Sequence, residues 1–222
     1  MPKKLIDYLS ELVTDERWQR MNEIIADRTE YLTVVLEDIY QPHNASAVLR
    51  TCDCFGIQNV HIIENQNEYT INPDVALGAS KWLNLQKYNK EKNNTLACIN
   101  SLKKEGYRII ATTPHTNDID LNNFDLKKGK TALMFGSEQP GLSKLALEHA
   151  DEFLKIPMFG FTESFNISVS ASIILHYLRL MLNQSDIKWN LTERKKEEIL
   201  LNWLRQSISR SDVIEKEYYK KQ

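Results

Sequence analysis

The chain has little of what common ligand-binding loops are made of. It holds 7 glycines in 222 residues, and none falls in a GxGxxG or GxxxxGK[ST] pattern. Neither the dinucleotide fingerprint nor the P-loop is present. HExxH, GxSxG and paired CxxC signatures are missing too, and the five histidines are scattered. Three cysteines, Cys52, Cys54 and Cys98, form no disulfide framework and match no zinc spacing. A reduced cytoplasm is the setting expected of such usage. No run of about 18 apolar residues occurs, and after Lys3 and Lys4 charges recur through the first thirty positions, unlike a signal peptide. Charge of one sign is also lacking: 28 Lys and Arg against 30 Asp and Glu leave a net −2. No global basic character announces a nucleic acid. Residues 188–222 carry nine basic and six acidic side chains, and residues 1–30 five and seven. A weakly basic tail of that kind is ordinarily a solvated helix.

What is there alternates. The length suits one domain of ordinary to large size, or one domain with terminal extensions. Residues 3–28 place Leu5, Ile6, Leu9, Leu12, Trp18, Met21 and Ile25 at broadly helical spacing. "YLTVVLEDIY" reads as a buried strand stopped by Pro42. "NASAVLRTCDCFG" reads as a helix with Asn44 as candidate N-cap and Gly56 as its stop. Strands follow at "NVHII", "WLNLQKY", "YRIIATT", "TALMFG" and "EFLKI", with helices at Thr95–Lys104 and Leu142–His149 between them. A long helix over Ser168–Asn183 and a charged helix from about Thr192 close the chain. Such alternation predicts an α/β fold, a mostly parallel sheet with helices on both faces.

In sheets of this class ligands sit beyond the carboxyl ends of the strands, and polar residues concentrate there. "QPHN" with Arg50 follows the first strand, "FGSEQPGLS" the fifth, and "IPMFGFTESFN" the sixth. Each has an ordinary explanation. Asn44 suits a helix cap, and Arg50 a helix surface. Turn chemistry accounts for Gly136, Pro140 and Gly141 but not for Glu138. Ser164 and Asn166 suit the cap of the next helix. That helix opens on Ser168, Ser170, Ala171 and Ser172, small enough that another backbone must approach. Its later, apolar part predicts burial within the domain or against a second subunit.

Taken in order, "HNASAVLRTCDCFG", "ALMFGSEQPGLS" and "IPMFGFTESFNISVSASI" resemble the three motifs of the SpoU/TrmH group of SPOUT methyltransferases, and "GASKW" a fourth segment. The resemblance runs from about Thr33 to Asn183. It implies a SPOUT domain over 31–185, tied in a trefoil knot over about 135–182, with helical extensions over 1–30 and 186–222. It implies S-adenosylmethionine as cofactor, with Thr113, Gly136, Ile156 and Phe165 at the family's contact positions. Phe165 departs from the family's usual leucine. Asn44, Arg50, Glu138, Ser164 and Asn166 match its functional residues, and no metal is implied. Asn44 and Arg50 would orient ribose and phosphate, and Glu138 would orient Asn44 or Arg50 or anchor the loop. The family is homodimeric, with its active site built from both subunits.

The activity so implied is 2′-O-methylation of a ribose, expected on a guanosine in the D loop of tRNA. The roughly thirty residues before the first strand are too few for the amino-terminal domain that ribosomal relatives often carry, which favours tRNA. Ribosomal RNA or another tRNA position is the alternative. A non-catalytic RNA-binding protein of the same fold is a second alternative, against which the intact polar residues argue.

Overall fold

The computed structural model describes residues 2–114 and 119–220. In chain order these form α1 (Pro2–Ser10), α2 (Asp15–Ala26), β1 (Leu32–Glu37), α3 (Pro42–Cys54), β2 (Asn59–Ile63), α4 (Pro73–Ala76), β3 (Asn84–Tyr88), α5 (Asn94–Lys104), β4 (Arg108–Thr112) and β5 (Ile119–Asp120). After them come β6 (Thr131–Phe135), α6 (Lys144–His149), β7 (Glu152–Lys155), α7 (Ile167–Asn183), α8 (Glu193–Ser207) and α9 (Ser211–Lys220). They divide into two compact units: residues 30–189, and the two chain ends together.

The larger unit is built on seven parallel strands in the order β3-β2-β1-β6-β4-β7-β5. This is the parallel α/β sheet that the alternation predicts. β1 and β6 lie at its centre and every residue in them is buried. That is why both read as continuous apolar runs instead of alternating ones. Successive side chains go to opposite faces. Leu36 and Leu133 pack with Val48, Leu175 and Leu178 on the α3–α7 side. Val35 and Met134 pack with Ile99, Leu102 and Ala146 on the α5–α6 side. β5, two residues on the sheet edge, is too short to show a pattern in the sequence.

β1 pairs with β2 on one side and β6 on the other, with Leu36 opposite Phe135. The chain's order along the sheet reverses there, so the loops after β1 and β6 leave side by side and open a crevice between them.

Two helix ends bear on what sits in that crevice. α3 begins earlier than the sequence predicts, with Pro42 in its first turn and Gln41 at the cap position, making no side-chain cap bond. Proline suits the first turn because its missing N–H has no partner there in any case. Asn44 is therefore not the N-cap, and its side chain is released for other work. α7 does start on a side-chain cap, Asn166 accepting from the Ser168 N–H; Ser164 caps nothing. The small residues at its start admit α3, and the hydroxyls of Thr51 and Ser172 meet at 3.1 Å.

In the smaller unit both chain ends contribute to one core. Leu5, Ile6, Leu9, Met21 and Ile25 are buried, as are Ile199, Leu200, Trp203 and Leu204. The Arg28 guanidinium lies over the Trp203 ring, 5.4 Å from its centroid, and Thr29 bridges Asn190. The periodicity over 3–28 belongs to two helices, the second capped by Thr14. The expected single closing helix is also two. Arg205 grips Glu215 through Nε and Nη2 at 2.7 and 2.8 Å, tying α9 to α8. No helix among the described residues is long and apolar enough to cross a membrane.

Candidate active site

A cavity of about 780 Å³ stands at the carboxyl ends of β1, β4, β6 and β7, within the size range of small-molecule sites. Eight of the residues selected from sequence line it: Asn44, Thr113, Gly136, Glu138, Ile156, Ser164, Phe165 and Asn166. One loop, residues 136–142, lines it throughout. Its first residue has to be glycine, because a Cβ on Gly136 would sit inside the backbone of Gly141 and Leu142. The loop closes on itself, backbone against backbone.

Glu138, in that loop, gathers two amides. Its Oε1 accepts from Asn44 Nδ2 at 2.7 Å and from Asn166 Nδ2 at 2.9 Å. A carboxylate can only accept, so both amides must turn their nitrogens toward it. Asn166 Nδ2 also donates to Asn44 Oδ1 at 3.1 Å, and Asn44 Nδ2 to Gln41 Oε1 at 3.2 Å. Asn166 Oδ1 is taken by Ser168, from N at 2.8 Å and Oγ at 2.6 Å. Asn166 has thus spent its capacity: it caps α7 and braces the cluster at once. What stays open is one lone pair on Asn44 Oδ1, the Oε2 of Glu138 and the hydroxyl of Ser164.

Arg50 is not in this group. It lies six positions after Asn44 on α3, which turns it about 240° around the helix axis. Its side chain is exposed, does not line the cavity, and makes no ion pair among the described residues. Glu138 therefore orients Asn44, of the two partners expected for it. Gln41 and Tyr40 were not selected from sequence and line the cavity. Their position in "YQPHN", beside Asn44, was the available signal.

The chemistry open to this wall is narrow. Glu138 is the one carboxylate among its described lining residues, which include no lysine, arginine or histidine. His61 is buried in β2, where burial pushes its imidazole down to about 4 and keeps it neutral. No group of three His, Cys, Asp or Glu among the described residues is placed to hold a metal. The arrangement can orient a hydroxyl-bearing substrate through amides and offer one anionic acceptor.

Comparison with known proteins gives a consistent picture. Residues 31–176 match the model of the SpoU rRNA Methylase family. The chain is 43% identical over 212 residues to a tRNA (guanosine(18)-2′-O)-methyltransferase of Borreliella burgdorferi, spanning 96% of this chain and 95% of that one. It is 32% identical over 198 residues to a protein of the same name from Thermus thermophilus, spanning 86% and 97%. Among solved structures, the TrmH/SpoU tRNA modifying enzyme of A. aeolicus superimposes with a TM-score of 0.78 at 26% identity, over 88% of this chain and 98% of that one.

Proposed function

This chain belongs to the SpoU rRNA methylase family, and on that premise we propose that it methylates the 2′-hydroxyl of guanosine 18 in tRNA, using S-adenosylmethionine. The observation that carries the reading is the Asn44–Glu138–Asn166 cluster on the wall of a cavity large enough for a nucleoside joined to an amino acid. The tRNA assignment rests on the names of the two relatives, each matched over nearly its whole length.

The residues present fit the cofactor. Thr113, Gly136, Ile156 and Phe165 offer backbone groups and apolar surface, with no phosphate-binding loop, and S-adenosylmethionine has no phosphate. These four would hold it. When bound it supplies an electrophilic methyl on a sulfonium. The chain's part is then to place the ribose and receive a proton. Asn44, held by Glu138 and Gln41, presents Oδ1 to the ribose. The unengaged Oε2 of Glu138 is the anionic acceptor available for the hydroxyl proton. Arg50 does not suit that role, since a guanidinium carries donors and no acceptor; its fork suits a phosphate oxygen.

Arg50 lies outside its own chain's cavity, so we place it at the cavity of a second copy. Val169, Ile173, His176 and Leu180 recur along one side of α7 at helical spacing, and of these Val169, His176 and Leu180 are exposed. A homodimer through that side would cover them. A trefoil knot over about 135–182 belongs to the same reading, as the family resemblance implies it. The helical unit of the two chain ends would contact RNA, with its basic carboxyl tail assisting.

The test is transfer of a labelled methyl group to unmodified tRNA, followed by mapping of the methylated ribose. Label on the 2′-oxygen of guanosine 18 is expected. Label in ribosomal RNA alone would remove the tRNA assignment and leave the chemistry. Label on a base would remove both.

A further inference from the structure

We propose that Glu37 is a positioning residue for this site: its buried carboxylate fixes the end of the loop that carries Glu138. The proposal rests on the reading above. Glu37 closes β1 and is 1% exposed. It makes no ion pair among the described residues, yet a buried carboxylate needs its lone pairs engaged. Its partners come from two places. Oε1 accepts from Thr95 Oγ1 on α5 at 2.6 Å and from Ser143 Oγ at 2.8 Å; Oε2 accepts from the Ser143 N–H at 2.8 Å.

Ser143 follows the cavity loop directly, and its Oγ also caps α6 through the Ala146 N–H at 3.1 Å. The loop is therefore pinned twice near its end. Gly141 and Leu142 are pressed against Gly136, and Ser143 is clamped by Glu37. Ahead of both pins, Glu138 stands toward Asn44 and Asn166. Neither Glu37 nor Ser143 touches the cavity, so whatever they contribute passes through the loop. An apolar side chain would fill the space as well, but only an acceptor can hold the Ser143 N–H.

The substitutions separate these roles. Glu37→Gln can turn its carbonyl to the N–H while the two hydroxyls reverse and accept, so the bonds persist without their charge assistance. Glu37→Leu keeps the bulk and orphans the N–H. Ser143→Ala removes one of the three bonds and, with it, the side-chain cap of α6. The experiment titrates S-adenosylmethionine into the full chain by calorimetry and measures methyl transfer to unmodified tRNA, with thermal denaturation run in parallel.

Glu37→Gln should lower cofactor affinity and kcat/KM about tenfold, Glu37→Leu more, and Ser143→Ala about threefold. At saturating S-adenosylmethionine, and beside Glu138→Gln, the Glu37→Gln change should lower turnover less than twofold further, because its effect on turnover passes through the Glu138 carboxylate. A residue that only stabilises the fold would show additive losses. Additive losses would overturn the proposal, as would wild-type affinity and turnover in Glu37→Gln and Ser143→Ala. Should the Glu37 variants fail to fold, Ser143→Ala decides, alone and beside Glu138→Gln. If the unsubstituted chain transfers no methyl to RNA, it is the reading of the site that fails, and not the place of Glu37 in it.

Discussion

Two loops leave the sheet at the same end and share one cavity, and they are built on opposite plans. The first, residues 136–143, is held by its own chain at every turn: backbone against backbone at Gly136, Glu37 on Ser143, two amides on Glu138. The second, residues 156–166, is held at one end by Ile156 against the core and at the other by Asn166, and from 159 to 165 stands in the open. Phe159 and Phe161 are 99% and 107% exposed, and Ser164 makes no hydrogen bond among the described residues. A phenylalanine left in water forgoes about 1.5–3 kcal/mol of burial. The first loop is finished by folding, whereas the second keeps apolar side chains in water, where the proposed second copy would cover them.

The largest effects should separate the two loops at their glycines. Gly136→Ala drives a Cβ into the backbone of Gly141 and Leu142, and neither can withdraw without opening the loop. We expect a loss of about 3 kcal/mol or more in stability and no measurable binding of S-adenosylmethionine. Gly160→Ala meets nothing nearer than 4.0 Å, the Thr162 nitrogen, and should stay within about 0.5 kcal/mol of wild type. Thermal denaturation and calorimetric titration of both variants check this. Equal damage from the two would erase the distinction between the loops.

Next in size is Arg50, which sharpens the idea of an unfinished site. Arg50→Ala should lower methyl transfer about a hundredfold or more while leaving cofactor affinity within twofold, since Arg50 does not line its own chain's cavity. Arg50→Lys should not rescue, because an ammonium cannot reproduce the planar fork. Mixing Arg50→Ala with a Glu138→Gln chain should restore part of the activity if the site is shared between copies. No complementation would confine the site to one chain.

How much of this was legible in the sequence depends on the reach of each interaction. β1 and β6 could be read because continuous apolar runs betray strands covered on both faces, whereas β5 is too short to carry a pattern. Asn44 reads as a cap because capping logic is local, and its main partner, Glu138, lies 94 residues away. Glu37 reaches Ser143 across 106 residues, and nothing near either residue signals the pair. The two chain ends looked like separate extensions because each shows half of a core. Family resemblance supplied what spacing could not, singling out Arg50 and Glu138, but it was helix geometry that set Arg50 apart from the cavity.

A smaller effect distinguishes the two duties of Asn166. Asn166→Ala should cost about 1 kcal/mol through the lost cap of α7, along with most of the activity. Asn166→Asp keeps an oxygen for Ser168 and so keeps the cap. It also sets a carboxylate beside Glu138, where an amide nitrogen now stands at 2.9 Å. We expect stability within about 1 kcal/mol of wild type, because the pair is near the surface, and at least a tenfold loss in turnover. An active Asn166→Asp would reduce Asn166 to a helix cap.

The smallest expected effect is the most direct test of the open loop. Phe159 and Phe161 bury nothing in their own chain, so Phe159→Ser and Phe161→Ser should change the stability of the isolated chain by less than about 0.5 kcal/mol. If the second copy covers them, the same substitutions should weaken association. Binding that favours the folded state makes the melting temperature depend on concentration. Wild type should therefore melt higher as concentration rises, and the double variant should melt near the dilute wild-type value throughout. Sedimentation should show the variant shifting toward a single 25.9 kDa chain. A fall in melting temperature of the same size at every concentration would mean that these rings stabilise their own chain, and that the second loop is as finished as the first.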